Sequence, residues 1–168
     1  DGRVLRVELG DVVSAQDVEV LVRVRFSRGE TGDRVRVRAR LVGVDRFDAA
    51  EVSWTYAAHA ENDAQRRNPD VDRRVAEVYA ARARAEATEA NRRGDFETAR
   101  RVIEATARRI REYANGDPEM ERCWRELRRE RPQYDQAVMS PAMMKGAFYA
   151  AEMGMKSRAI GGKARRSR

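Results

Sequence analysis

A chain of 168 residues with 42% hydrophobic residues, 35 Lys and Arg, 28 Asp and Glu and a formal charge of +7 has enough apolar material for one ordinary domain or two small modules. Its single cysteine, Cys123, excludes an intramolecular disulfide and fits a reducing compartment, and its single histidine, His59, leaves no second imidazole or cysteine pair to complete a zinc centre. No apolar run reaches the roughly 18 to 20 residues that cross a bilayer, and no signal-peptide pattern opens the chain, so the expectation is a cytoplasmic chain with no membrane span. The start at Asp1 reads as a piece of a longer or processed protein, and 32 arginines against 3 lysines fit a GC-rich bacterial genome.

The first third of the chain alternates with period two. In "RVLRVEL", Leu5, Val7 and Leu9 oppose Arg6 and Glu8; in "VEVLVRVRF", Val18, Val20, Val22, Val24 and Phe26 oppose Glu19, Leu21, Arg23 and Arg25. In "DRVRVRARL", Val35, Val37, Ala39 and Leu41 oppose a comb of Arg34, Arg36, Arg38 and Arg40; in "EVSWTY", Val52, Trp54 and Tyr56 oppose Glu51, Ser53 and Thr55. "GDVVSAQD" and "SRGETGD" supply turn residues between runs. Four such runs predict an antiparallel sheet with one dry and one wet face, a sandwich-like half. The arginines would then form a solvated face, ion-paired across strands with Glu8, Glu19 and Glu51.

Past residue 58 the period becomes helical. "HAENDAQRRNPD" is a polar linker ending in a helix start, with Asn68 as cap, Pro69 in the first turn and Asp70 and Asp72 at the positive end of the dipole. An alanine-rich helix follows to about Arg92, Gly94 and Asp95 make a tight elbow, and Phe96, Ala99, Ile103, Ala107, Ile110 and Ala114 mark the inner face of a second helix. "GDP" at 116–118 opens a third helix that ends before Pro132, and "SP" at 140–141 opens a fourth with Met144, Ala147, Phe148, Ala151 and Met155 on one side. The expected fold is α+β: a four-stranded antiparallel module over 1–58, a linker over 59–69, a helical module over 70–155 (hairpin 70–115, shorter helices near 118–131 and 141–155), and a flexible basic tail over 156–168.

No catalytic grouping and no cofactor or metal site emerges from the residues. Cys123 falls at helical spacing with Met120, Trp124 and Leu127 and reads as a packed hydrophobe, and it lacks a neighbouring base. "GDFETARRVIEATARRI" resembles the second helix of a tetratricopeptide unit, but no second copy stands at the family's roughly 34-residue period. The candidate anion contacts are Arg34, Arg36, Arg38 and Arg40 together with Lys163, Arg165, Arg166 and Arg168; the candidate partner surface is Met143, Met144 and Phe148. Six basic residues and no acid follow Met155, so the rest of the chain holds 29 basic residues against 28 acidic. That near-neutral body makes nucleic acid an unfavoured partner.

Three segments, "VELGDVVSAQDVEVLVRVRF", "EVSWTYA" and "VDRRVAEVYAARARAEATEANRRGDFETARRVIEATARRI", together resemble the region that follows the von Willebrand factor A domain in bacterial proteins of the calcium-activated-chloride-channel-like group. The resemblance spans about residues 7–115. It implies a strand-rich segment leading into a helical hairpin, downstream of a domain whose metal site begins Asp-x-Ser-x-Ser; no such run occurs here, so no metal ligands carry over. The implied function is a non-enzymatic interaction or scaffolding module whose partner is the upstream A domain or another protein, and open sheet edges would allow a homodimer. The alternative is a nucleic-acid-associated module using the tail and the arginine comb.

Overall fold

The computed structural model describes residues 4–8, 20–42, 49–135 and 137–155. It divides into two compact units, one of residues Val22–Arg67, the other of the chain from Asn68 onward together with the residues up to Leu21.

In the first unit, β1 (Arg34–Arg40) pairs antiparallel with β2 (Ala49–Thr55), with Val35 opposite Trp54, Val37 opposite Val52 and Arg38 opposite Glu51. The alternation of the sequence sets the register: one residue of slip would turn Val35 and Val37 onto the charged face. The ladder closes on Tyr56, whose N–H donates to Asp33 O (2.8 Å) and whose carbonyl accepts from Gly32 N (2.8 Å). Asp33 also caps its own turn, accepting from Glu30 N at 2.9 Å. Within the stretch read as a linker, His59–Ala64 winds into a short helix, α1.

Among the described residues the fold is mainly helical with a two-stranded sheet, which corrects the expected four-stranded sandwich half. Residues 4–8 and 20–26 alternate as β1 and β2 do but join no ladder, and Val20, Val22, Val24 and Phe26 stand exposed. The reason is physical: period-two spacing shows that a segment could dry one face, whereas a ladder also needs a partner in register.

The helical unit starts where the capping chemistry puts it. Asn68 accepts from Asp70 N (3.0 Å) at the head of α2 (Pro69–Arg92). Gly94, at φ +77°, adopts the left-handed turn that ends this helix without a Cβ penalty. Asp95 caps α3 (Phe96–Ala114), accepting from Thr98 N at 3.0 Å. Asp117 caps α4 (Pro118–Glu130) through Glu119 N and Met120 N, both at 3.0 Å, and its other oxygen accepts from Arg73 Nε of α2 at 2.7 Å. These bonds and the dipole hold the Asp117 carboxyl below the usual aspartate range, with the Met120 amide the largest cause. A four-residue turn, α5 (Pro132–Asp135), and α6 (Pro141–Met155) complete the unit.

Its core is a seam of small residues. Ala80, Ala83, Ala87 and Ala90 of α2 meet Ala99, Ile103, Ala107, Ile110 and Ala114 of α3, with Met120 and Leu127 of α4 closing the side. Alanine permits close helix approach, while Ile103 and Leu127, fully enclosed, each contribute about 1.5–3 kcal/mol of apolar burial. On the far side α6 lies close against α2, since a Cβ on Gly154 would stand 3.1 Å from that of Ala81.

Candidate functional site

Two surfaces hold the features a ligand or partner could use, and each belongs to one unit. In the sheet unit the dry face of the ladder is uncovered: Val52 is 51% exposed and Trp54 40%. Phe26 packs its ring on Trp54 at 5.1 Å between centroids. Tyr56 donates its hydroxyl to Ser27 O, holding the segment before β1 beside the ladder. A Cβ on Gly29 would lie 2.7 Å from the Tyr56 ring, so the absence of a side chain there lets the ring lie flat. Around these residues an open cleft of about 650 Å³ is walled by Phe26, Val35 and Trp54 and edged by Glu61, Asn62 and Gln65 of α1 and its end. It offers aromatic and aliphatic area with amide and carboxylate groups at the rim, the chemistry of a protein contact.

The helical unit carries a second, smaller cleft of about 270 Å³, between Arg84, Glu130, Tyr134, Met139, Met143 and Ala147. A polar ladder along α2 builds it. Arg84, Thr88 and Asn91, at i, i+4 and i+7, share one face. The Arg84 fork donates to both oxygens of Glu130 (2.7 and 2.8 Å). Thr88 bonds Arg84 O at 2.7 Å. Asn91, fully buried, donates to Tyr134 O (2.9 Å) and Ala137 O (2.8 Å) and accepts from Met139 N (2.9 Å). This clasp fixes the chain that delivers α6 onto α2. The ion pair is internally neutral; burial opposes the charge on Arg84, but its bonds to the Glu130 carboxylate outweigh that and hold the guanidinium above its ordinary range, while burial raises the Tyr134 phenol, so neither serves as an acid or base near neutrality.

The residues singled out from sequence are dispersed. Arg34, Arg36, Arg38 and Arg40 all lie exposed on the wet face, where Glu51 takes Arg38 through two bonds (3.0 and 2.8 Å) and reaches Arg36 at 3.9 Å. Glu8, expected to share that face, lies outside any strand, and Glu19 is not among the described residues. Lys163, Arg165, Arg166 and Arg168 also lie outside them. Of the methionine surface, Met144 packs against the core, while Met143 at 50% and Phe148 at 39% stand exposed. Met143 and Phe148 sit on different flanks of α6, so the three do not form one face. His59 begins α1 in the open, and no cluster of three His, Cys, Asp or Glu that could hold a metal occurs among the described residues. Cys123 Sγ faces Ala76 O at 4.0 Å, and burial pushes its thiol up to about 11, away from nucleophile character. Among the described residues no helix is long and apolar enough to cross a membrane.

The ladder of Arg84, Thr88 and Asn91 falls at i, i+4 and i+7, but Arg82, Glu86 and Glu89 also punctuate the alanine-rich stretch, so spacing alone does not single it out. No family model matches the chain, and no curated protein or solved structure matches it.

Proposed function

We propose that the chain is a non-enzymatic protein-interaction module, the C-terminal companion of a von Willebrand factor A domain in a bacterial protein, and that it docks that domain through the dry face of the β1/β2 ladder. The observation that carries this reading is the exposure of Val52 and Trp54 beside Phe26 on a sheet of two strands. A two-stranded ladder is marginal by itself, and an aromatic patch left open on it gains from being covered. The upstream A domain is the occupant because the residues that form this face fall in the segments that resemble the region following such a domain.

Sequencing the source DNA upstream of the Asp1 codon tests the assignment. An encoded Asp-x-Ser-x-Ser run within about one domain length supports it, and an unrelated upstream region overturns it. With that domain in hand, Trp54→Ala should weaken its binding by at least 2 kcal/mol, about 30-fold, if Trp54 is an anchor.

A further inference from the structure

We propose that the outer face of the α3/α4 pair binds the phosphate backbone of a nucleic acid without reading its sequence. The near-neutral charge of the body conceals a segregation of charge that helix geometry produces. On α3, Arg100, Glu104, Arg108 and Arg111 fall on one stripe by the i, i+4 and i+3 rule, and Trp124 and Arg128 of α4 with its C-cap Arg131 do the same. The short turn at Asn115 to Asp117 runs the helices antiparallel. Arg131 reaches Glu104 at 2.9 Å and sets the two stripes side by side. Each step back along α4, from Arg131 to Arg128 to Trp124, is therefore a step forward along α3, from Glu104 to Arg108 to Arg111.

Between Arg100 and Arg111 the stripe's carboxylate is already used, Glu104 taking Arg131, and beside them Glu121 takes Arg125; exposed Glu97 stands at the start of the same face, before Arg100. Arg100, Arg108, Arg111 and Arg128 are exposed and hold no ion pair among the described residues. Trp124 organises the seam, with the guanidinium carbons of Arg125 and Arg128 lying 5.3 and 5.8 Å from its ring centroid. Cation–π contact of this kind holds an arginine in place before any ligand arrives. Arginine is also the cation whose planar fork suits phosphate oxygens.

The stripe from Arg100 to Arg111 extends about 16 Å at 1.5 Å per residue, and over that length a duplex presents roughly ten charges, one per 1.7 Å of axis. A lipid surface fits less well, because no large apolar side chain stands exposed within the stripes to enter an acyl layer. Exposed cations spread along two side-by-side helices suit phosphates spread along a backbone, the contact that carries no sequence information.

The test is anisotropy of a labelled mixed-sequence DNA duplex titrated with the full chain across a range of salt. Arg108→Ala/Arg111→Ala/Arg128→Ala should lower the slope of log K against log salt by about 2.7, at about 0.9 per phosphate contact, with helix content unchanged by circular dichroism. The corresponding triple lysine variant should keep most of the slope, and deleting residues 156–168 should leave the difference between parent and triple variant in place. The proposal is overturned if parent and triple alanine variant share one slope, if the tail deletion abolishes binding, or if polyglutamate displaces the duplex as well as unlabelled DNA does. None of these outcomes bears on docking at the sheet face, which uses the other unit.

Discussion

Replacing Asn91 with alanine removes three hydrogen bonds at once, those to Tyr134 O, Ala137 O and Met139 N. Ala137 is exposed and its carbonyl can turn to water, whereas Tyr134 and Met139 are buried and their backbone groups would be left without a partner. An unsatisfied buried group costs about 1–3 kcal/mol and a lost bond with access to water about 1, so the variant should lose roughly 3–7 kcal/mol. Urea denaturation should show this as a lower midpoint with an unchanged slope. Hydrogen exchange at the Met139 amide should accelerate in parallel, because that N–H loses its acceptor. Asn91→Asp retains the acceptor for Met139 N but faces two carbonyls with a charge, and should be no milder at neutral pH. A loss under about 1 kcal/mol, with Met139 as protected as before, would refute the view that this side chain clasps α6 to α2.

Four further outcomes follow from the same geometry. Arg84→Met should cost about 2–4 kcal/mol by leaving Glu130 uncompensated, and adding Glu130→Leu should recover part of that in a double-mutant cycle read by denaturation. Cys123, with its thiol near 11, should react with iodoacetamide at pH 8 at least about 100-fold more slowly than an unfolded-chain thiol near 8.5, and equal rates would show that it is not packed. Asp95 and Asp117 both have lowered carboxyl pKa values, Asp95 chiefly through the Thr98 amide and Asp117 chiefly through that of Met120. The stability they add is complete above the ordinary aspartate value near 3.9 and is lost as pH falls through it toward the lowered values. Melting temperature should therefore drop below about pH 4, less steeply in Asp117→Ala. Gly29→Ala should displace the Tyr56 ring and destabilise the sheet unit by about 1–3 kcal/mol, seen as faster exchange of the Gly32 and Tyr56 amides, which bond across that turn.

The helices were the legible part of this chain, because their signals are local. Asn68, Asp95 and Asp117 each carry a side-chain oxygen two or three residues before the amides it caps, and Gly94 marks a left-handed stop, so α2, α3 and α4 start and stop where the residues say. The sheet was half legible. Val35, Val37, Val52 and Trp54 alternate and pair, but Val20, Val22 and Val24 alternate just as well without joining a ladder; pairing is a non-local property that period two does not encode. The arginine face of α3 and α4 is hidden in the sequence for a different reason. Summed over the residues up to Met155, basic and acidic side chains nearly cancel at 29 against 28, and the register set by Arg131 and Glu104 is what brings Arg128 of α4 beside the stripe of Arg100, Arg108 and Arg111. Met144 and Phe148 show the limit of reading a helix as having one apolar side: they are adjacent turns of α6, yet one enters the core and the other does not.

Docking at the sheet face is tested most directly by the solvent access of Trp54 when the partner is present. The chain has two tryptophans, so Trp124→Phe leaves Trp54 as this chain's only reporter, and acrylamide quenching is measured with and without a tryptophan-free form of the proposed partner A domain. The account predicts a fall in quenching and a blue shift that saturate with that domain and disappear with Val52→Asp. Quenching that stays constant while the two polypeptides bind each other would place the interface elsewhere and contradict it.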